Sequence, residues 1–332
     1  MGYLDSGIET LRKRGIRCAF VAGILVCVFA TVGRLHSIRP SKFHDHKVNL
    51  FRVIHGKRSY LLGCAFLIAC AQPNAQQTAA RRSTASSWVL TWSDEFNGAY
   101  GSTPDPAKWT VESGGDGWGN NELQYYTRRR ENVREEKGRL VIEAIKQTFV
   151  GPDGVKREYT SGRLKTEGRF SQRYGRFEAR VQVPSGKGMW PAFWMLGDDF
   201  SSAGWPACGE IDIMENAGSK PGTICGSMHG PGYSGANALT AALSVPTGRF
   251  SEGFHVYAIE WEPRVVRFFV DDRLYATKTP ADLPTGKPWV YDHAFFVLLS
   301  LAVGGNFPGA PDDSTVFPQR MLVDYVRVYS RQ

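Results

Sequence analysis

Three acidic residues lie within six positions of one another: Glu210, Asp212 and Glu215, in the segment GEIDIMEN. On a regular strand, side chains alternate between two faces, so Glu210 and Asp212 share a face and Glu215 points to the other. An unpaired carboxylate in a protein core costs free energy. One extra residue, a β-bulge at Ile213-Met214, would turn Glu215 back, so that all three carboxylates face the same groove.

Two carboxylates that flank one point of a groove suit the hydrolysis of a glycosidic bond. In a retaining glycosidase one carboxylate attacks the anomeric carbon and the other, protonated, donates to the leaving oxygen, with about 5–5.5 Å between them. Crowding three acids raises at least one pKa, which keeps the proton donor protonated near neutral pH. Two other interpretations stay open: a surface strand edge with protective charges, and an acidic metal-binding cluster.

Aromatic residues with strand spacing precede the acidic segment. Trp190 and Trp194 are four positions apart, which places both on one face of a strand, with Phe193 and Met195 on the other. Exposed rings bind the flat C–H faces of sugars, although two core tryptophans would fit the same spacing. Further sugar-binding candidates lie in a Gly-rich loop: Trp118, Asn120, Asn121 and Glu122. A purely structural loop is the alternative there.

The elements that must position these residues are strands. Apolar and polar residues alternate with period two over residues 139–146, 176–183, 255–262, 265–270 and 322–329. The almost wholly apolar run from Ala294 to Val303 is typical of a strand buried on both faces. No amphipathic stretch is long enough for a major helix. These patterns predict an all-β fold, a β-jelly-roll sandwich of two curved antiparallel sheets with an open substrate cleft.

The positive charge of the chain is confined to its N-terminal part. The 332 residues carry a net charge of +8, but residues 1–87 hold 13 basic and 3 acidic side chains and the rest hold 27 and 29. The globular part therefore has no excess charge for a phosphate backbone, which argues against a nucleic-acid partner. We predict an export leader at 1–71, a flexible linker at 72–87 and a catalytic domain at 88–332.

The leader contains two apolar segments, Cys18–Gly33 and Tyr60–Cys70, each preceded by basic residues. A basic start, an apolar core and small residues at its end describe a secretory signal. The end of the second segment, LIAC, resembles a bacterial lipobox, in which Cys70 would be lipidated. Translation from near residue 48 and a signal anchor in the first segment are the two explanations for the tandem arrangement. Either route predicts a secreted or envelope-attached protein, with membrane attachment through the leader or Cys70.

Only two of the six cysteines lie in the domain, namely Cys208 and Cys225. Both have strand-like surroundings, so a cross-strand disulfide and two half-buried free thiols both stay open. No pair of cysteines has the spacing of a zinc site.

The acidic segment and its neighbours together resemble glycoside hydrolase family 16, whose bulged signature is E-x-D-x-x-E. The matching segments are WSDEF at 92–96, WGNNELQYYT at 118–127, SGRL at 161–164, YGRFEAR at 174–180, GMWPAFWML at 188–196 and VDYVRVY at 323–329. They extend over the whole domain and look most like the laminarinase branch, the endo-β-1,3-glucanases. The resemblance implies a curved jelly-roll with an open cleft.

The resemblance also assigns roles to individual residues. It implies that Glu210 is the nucleophile, Glu215 the acid/base and Asp212 the residue that holds and tunes the nucleophile. It implies that Trp190 and Trp194 line the cleft.

Two further positions match the family pattern on the cleft side. Arg163 matches a cleft arginine, although an ordinary ion pair between strands is nearly as good an interpretation. His229 has the parity to face the groove and matches an auxiliary residue that polarises the acid/base side. This chain departs from the family pattern at Ser300 and Phe307, where laminarinases often carry Asn and Trp, which puts the subsite preference in question.

Many family members hold a structural calcium ion away from the catalytic strand, and no cofactor is needed for catalysis. The matching candidates here are Glu95 and Gly138, largely through backbone oxygens, and Asp324 through its carboxylate. Hard oxygen ligands of this kind suit calcium. An edge-strand charge is the alternative for Asp324.

The expected function is therefore retaining endo-hydrolysis of β-1,3-glucosidic bonds in laminarin-like β-glucans by a monomeric enzyme. Alternatives are hydrolysis or transglycosylation of another β-glycan, such as mixed-linkage glucan, agar or carrageenan, and a non-catalytic glucan-binding module. The bulged motif argues against plain lichenases, which use the unbulged E-x-D-x-E. The intact acids argue against the binding module.

Overall fold

The structure is a computed structural model that describes residues 16–21, 24–29 and 88–332. The predicted second apolar segment, the lipidation site at Cys70 and the linker at 72–87 lie outside the described residues. Strands β1 (Ile16–Val21) and β2 (Ile24–Phe29), which overlap the first apolar segment, pair antiparallel. In the described parts of the chain, no helix is long and apolar enough to cross a membrane.

The domain from Trp88 onward is built almost entirely of strands. They are β3 (Trp88–Asp94), β4 (Thr110–Val111), β5 (Gln124–Tyr126), β6 (Val133–Glu135), β7 (Leu140–Val150), β8 (Lys156–Ser161), β9 (Arg163–Lys165), β10 (Gly175–Gln182), β11 (Met189–Gly197), β12 (Glu210–Glu215), β13 (Thr223–His229), β14 (Ala241–Ser244), β15 (His255–Glu262), β16 (Val265–Val270), β17 (Arg273–Lys278), β18 (Phe295–Val303) and β19 (Gln319–Arg331). One helical turn, α1 (Phe200–Ala203), and three 3₁₀ turns at Gly235–Asn237, Phe250–Glu252 and Pro280–Asp282 complete the described elements.

The strands form two sheets, as the alternating pattern predicts. One sheet has the order β17-β16-β15-β10-β19-β7-β8-β5, with β3 added on β19 and β6 on β7. The other has the order β14-β13-β12-β11-β18-β9-β4 and carries the acidic segment on β12. All pairs are antiparallel except β5 with β8, which is parallel. The prediction of an all-β sandwich of jelly-roll type is confirmed.

The core lies between the two sheets and is filled by the inward-facing residues of each strand. Phe177, Ala179 and Val181 from β10 meet Phe193 and Met195 from β11 in one buried cluster. All nine residues of β18 are buried, as predicted, and Phe296, Leu298, Ser300 and Ala302 on one of its faces also line the cleft. The side of the seven-stranded sheet that faces away from this core is left to form the cleft.

Candidate active site

Strand β12 contains the β-bulge that the sequence predicts. Its register against β13 shifts between Asp212 and Glu215, and its register against β11 skips Ile213. Ile213 and Met214 both belong to the buried core, whereas Glu210, Asp212 and Glu215 all line the cleft. The extra residue thus keeps Glu215 out of the apolar core, where its carboxylate would lack a partner.

The cleft has a volume of about 870 Å³. Ten of the residues predicted from the sequence line it, namely Trp118, Asn120, Glu122, Arg163, Trp190, Trp194, Glu210, Asp212, Glu215 and His229. Asn121 is not among the residues that line it, and its assignment as a substrate-binding residue stays a prediction. Its backbone adopts a positive φ of 56°, and its exposed side-chain amide donates to Oδ1 of Asn306 at 2.9 Å. The amide thereby ties its loop to the loop of Asn306, which lines the cleft.

Each glutamate of the bulged strand accepts a hydrogen bond from the indole of a tryptophan. Nε1 of Trp190, on the adjacent strand β11, donates to Oε1 of Glu215 at 2.9 Å. Nε1 of Trp205, in the loop before β12, donates to Oε2 of Glu210 at 2.5 Å. Both donors fix the orientation of a carboxylate and favour its ionised form.

Burial and mutual repulsion raise the pKa values of the three carboxyls. Burial, and then the charge of Asp212, raise the pKa of Glu210 to about 8. Burial raises the pKa of Glu215 to about 7, against the opposing effect of the Trp190 hydrogen bond. The pKa of Asp212 is raised well above its usual value, first by burial and then by the charge of Glu215. Protons therefore remain on this strand near neutral pH, as a general acid requires.

Asp212 lies against His229 on strand β13. Nδ1 of His229 accepts a hydrogen bond from the backbone N–H of Gly235 at 3.0 Å, so Nε2 carries the ring hydrogen. Nε2 lies 2.9 Å from Oδ2 of Asp212, but the N–H does not point along this line, and Oδ2 has no hydrogen-bond partner among the described residues. Carboxyl oxygens of Glu210 and Asp212 and Nε2 of His229 lie within 4.8 Å of one another. A neighbour such as Glu210 can therefore share a proton with Asp212.

Trp190 and Trp194 face the cleft, which excludes the alternative that both fill the core. Phe193 and Met195, which alternate with them, are fully buried. Nε1 of Trp194 donates to the Ser300 hydroxyl at 3.2 Å. The ring of Trp190 packs against Phe307, with 5.4 Å between the ring centroids.

Arg163 forms the cleft wall together with two tryptophans. Its guanidinium carbon lies 4.5 Å from the ring centre of Trp118 and 4.7 Å from that of Trp194, and its Nε bonds Glu112 at 2.5 Å. Lys165 pairs with the same Glu112 at 2.9 Å. Both interpretations of Arg163 are therefore correct in part, because the residue lines the cleft and also makes an ordinary ion pair.

The Gly-rich loop is held from inside the protein. Trp118 has a positive φ of 50°, and its Nε1 donates to the carbonyl of Gly114 at 3.2 Å. Glu122 is buried, and its carboxylate accepts hydrogen bonds from Gln124 at 2.6 Å and Tyr126 at 3.0 Å. Burial raises the pKa of Glu122. Glu122 thus supports the loop from below, and Asn120 lies at the cleft surface.

The residues predicted to bind calcium have other partners. The Glu95 carboxylate forms two hydrogen bonds with Arg327, at 2.9 and 2.8 Å. The Asp324 carboxylate pairs with Arg180 at 2.7 Å. The Asp324 carboxylate, the one side-chain ligand expected, is thus paired with an arginine, whereas Glu95 and Gly138 are expected to contribute largely through backbone oxygens. The calcium site stays a prediction, and nothing in the catalytic arrangement depends on it.

Of the two alternatives for the domain cysteines, the structure has the free thiols. Cys208 is fully buried beside Leu196 and Phe296, and Cys225 is half-buried opposite Glu215 on β13. Burial raises the pKa of each thiol to about 11, so both stay protonated at neutral pH.

Sequence reasoning missed Trp205 and undervalued Phe307. Trp205 is 48% exposed and contacts Glu210 from a loop, so no strand periodicity could place it. Its position five residues before the first acid was the one available signal. Phe307 lines the cleft and is 43% exposed. An aromatic ring therefore remains at the position where the sequence departs from the family pattern.

Comparison with known proteins agrees with this geometry. Residues 120–326 match the family model for glycosyl hydrolases family 16. The chain is 45% identical over 284 residues to a beta-glucanase of Rhodothermus marinus, covering 82% of this chain and 92% of that protein.

Two solved structures have the same fold over nearly their whole length. The endo-beta-1,3-glucanase from Pyrococcus furiosus aligns with a TM-score of 0.71 at 47% identity, covering 74% of this chain and 96% of that one. The laminarinase catalytic domain from Thermotoga maritima aligns with a TM-score of 0.70 at 47% identity, covering 74% and 99%. The family model spans more than half of the sequence and includes the bulged strand with its three acids. The chain therefore belongs to family 16 of the glycosyl hydrolases.

Proposed function

We propose that this protein is an endo-acting β-1,3-glucanase that hydrolyses laminarin-like β-glucans with retention of configuration, Glu210 being the nucleophile and Glu215 the acid/base. The observation that carries the proposal is the bulge of β12, which brings both glutamates and Asp212 to one face of the cleft. The names of the similar proteins, beta-glucanase, endo-beta-1,3-glucanase and laminarinase, support the substrate class.

The first step forms a glycosyl-enzyme. A Glu210 oxygen attacks the anomeric carbon, the bond to the glycosidic oxygen breaks, and Glu215 gives its proton to that oxygen. Glu215 can do so because its raised pKa keeps it protonated near neutral pH. The desolvated floor strengthens the interaction of Glu210 with the developing positive charge on the sugar ring.

The second step returns both residues to their starting states. Glu215, now ionised and stabilised by the Trp190 N–H, takes a proton from water as the water oxygen attacks the anomeric carbon. The bond to Glu210 breaks and its carboxylate is released. Asp212 tunes both steps, because its protonation state sets the repulsion that Glu210 experiences.

The cleft walls suit an uncharged polysaccharide. Trp190, Trp194 and Phe307 offer aromatic faces to sugar rings. The basic groups of the wall are compensated: Arg163 and Lys165 both pair with Glu112, and Lys165 also with Glu167 at 2.5 Å. No excess positive charge therefore selects a sulfated or carboxylated glycan at this wall.

Azide trapping on an activated aryl β-laminaribioside tests the two roles. Glu210→Ala should abolish turnover of laminarin, and azide should attack from the vacated face to give the α-glycosyl azide. Glu215→Ala should lower laminarin turnover by about 10²–10⁴-fold but spare the activated substrate, and azide should then give the β-glycosyl azide. The reverse pattern, or an α-anomer as the first wild-type product in NMR, would contradict the assignment.

We also propose that the protein acts outside the cytoplasm. The support comes from the sequence alone. Two apolar segments each follow basic residues, the second of them ends in LIAC, and a polar linker comes after it. Mass spectrometry of the native protein should find a mature N-terminus at or after Cys70, and Cys70→Ala should release the protein from the membrane fraction if that cysteine carries lipid. A soluble cytoplasmic form with residues 18–60 intact would overturn export.

A further inference from the structure

We propose that Trp205 is a positioning residue of the nucleophile, whose indole N–H fixes the Glu210 carboxylate and places the charge of the Glu210–Asp212 pair on Glu210. This inference rests on the proposed function, because it needs Glu210 to be the group that attacks the sugar. It assigns a role to a loop residue that the acidic motif does not include.

The contact of Trp205 with Glu210 is specific. In the part of the chain that the structure describes, Trp205 is the one side chain that donates a hydrogen bond to Glu210, at 2.5 Å. Asp212, two residues on, has an Oδ2 without any hydrogen-bond partner there. Since a donor stabilises the ionised carboxylate, a proton shared by the two groups resides on Asp212 and the negative charge on Glu210.

Among the groups around Glu210, Trp205 is the one that holds its carboxylate by a hydrogen bond. Asp212, on the same strand, opposes ionisation of Glu210, and the charge of Glu210 in turn raises the pKa of Glu215. On β11, the residue paired with Glu210 is the apolar Leu196. His229, paired with Glu210 on β13, also lowers the pKa of Glu210 through its charge, but its Nε2 lies beside Asp212 and so does not orient the Glu210 carboxylate. The buried groups Tyr291 and Cys208 keep protonated, uncharged side chains.

Hydrogen bonds fix the conformation of the loop between β11 and β12, which carries the indole of Trp205. Its backbone is closed by hydrogen bonds from Cys208 N to Gly204 O at 2.9 Å and from Gly209 N to Pro206 O at 3.1 Å. His293 braces it from outside, with Nε2 3.1 Å from both the Cys208 carbonyl and Oδ1 of Asp199. Trp205 itself is about half exposed and belongs to neither core cluster, so folding does not require its ring.

Holding one oxygen has a consequence for each chemical step. The indole engages Oε2 and leaves Oε1 without that contact, which presents one oxygen for attack on the anomeric carbon. When the glycosyl-enzyme breaks down, charge returns to the carboxylate and the same N–H strengthens its hydrogen bond. Trp205 therefore orients and ionises Glu210 before the attack and stabilises its carboxylate on departure.

The test removes the N–H and keeps an aromatic ring. Trp205→Phe should lower kcat/KM on laminarin by about ten- to hundredfold, since a hydrogen bond to a charged group is lost. The acidic limb of its pH profile of kcat/KM should move to higher pH, because the pKa of Glu210 rises when the N–H donor is lost. The melting temperature should stay that of the wild type. Trp190→Phe is the matched control: it removes the donor to Glu215 and should move the alkaline limb instead.

A second variant separates the N–H from the shape of the ring. Benzothienylalanine in place of Trp205 keeps the two fused rings and lacks the N–H, so it should reproduce the kinetic change of Trp205→Phe even if that variant folds poorly. The inference would be overturned if the benzothienylalanine variant kept the wild-type kcat and the wild-type acidic limb of the pH profile. A change confined to KM would also overturn it, because the ring would then act only by binding the sugar. Failure of the wild-type enzyme on laminarin would instead count against the proposed function.

Discussion

At the scale of single residues, the site solves the problem of keeping one carboxyl protonated beside another that must be ionised. The strand supplies three acids in a desolvated position, which by itself would protonate all of them. The indole donors of Trp190 and Trp205 then act on one glutamate each, and the unsatisfied Oδ2 of Asp212 accommodates a proton. Differences in hydrogen bonding, rather than in burial, therefore distinguish the roles.

The pH dependence of the wild type follows from Glu215. Because its pKa is about 7 and the acid must be protonated for the first step, kcat/KM on laminarin should fall as pH rises through about 7. Glu215→Gln should remove this alkaline limb when an activated aryl glycoside, which needs no proton donor, is the substrate. A pH titration of both proteins measures it. An alkaline limb that persists in Glu215→Gln would assign the limb to another group.

At the scale of elements, the bulge is the feature that sequence reasoning could reach. Its prediction needed only the alternation of a strand and the cost of a buried carboxylate at Glu215, and both are local. The partners of Arg163 and Glu122 could not be reached in the same way. Strand alternation gives the face on which a side chain lies, but not its partners. Trp118 and Glu112 contact Arg163, and Tyr126 contacts Glu122, from other strands and loops. Trp205 depends on the closed conformation of a loop, for which the sequence carries no period.

The bulge also makes an element-scale prediction. Deleting Met214 leaves Glu-Ile-Asp-Ile-Glu, in which regular alternation places all three acids on the cleft face without a bulge. The variant should lose about 2–5 kcal/mol of stability, the usual cost of removing a core Met side chain, yet keep measurable hydrolysis.

Deleting both Ile213 and Met214 is the matched control, because it leaves Glu-Ile-Asp-Glu, in which regular alternation turns Glu215 into the core, and it should abolish activity. Reducing-sugar release and thermal melts compare the two variants. Equal loss of activity in both would mean that the strand tolerates no change of length, and that parity is not what positions Glu215.

At the scale of the whole molecule, the apolar core of the sandwich offsets the free-energy cost of the poorly hydrated carboxyls in the cleft. Two sheets bury a continuous apolar core on one side of β12, and the other side of the same strand carries three carboxyls in poorly hydrated positions. A carboxyl whose pKa is raised by folding binds its proton more tightly in the folded than in the unfolded chain. Its contribution to stability is present at low pH and is lost as pH rises from the unfolded pKa to the folded one.

This linkage predicts a pH-dependent stabilisation when a catalytic acid is neutralised. The pKa of Glu215 is raised from 4.5 to about 7, so wild-type stability should decline between about pH 4.5 and 7. Glu215→Gln cannot ionise, and its melting temperature should exceed that of the wild type by a few degrees at pH 8, as expected for about 1–2 kcal/mol in a domain of this size. At pH 4.5 the two proteins should melt together, because Glu215 is then protonated in the folded wild type. Asp313→Asn, in an exposed loop, is the control for loss of a charge and should show no such divergence. Melting curves of the three proteins across this pH range measure the effect, and a Glu215→Gln variant that gains nothing at pH 8 would show that the carboxylate is well solvated in the folded cleft.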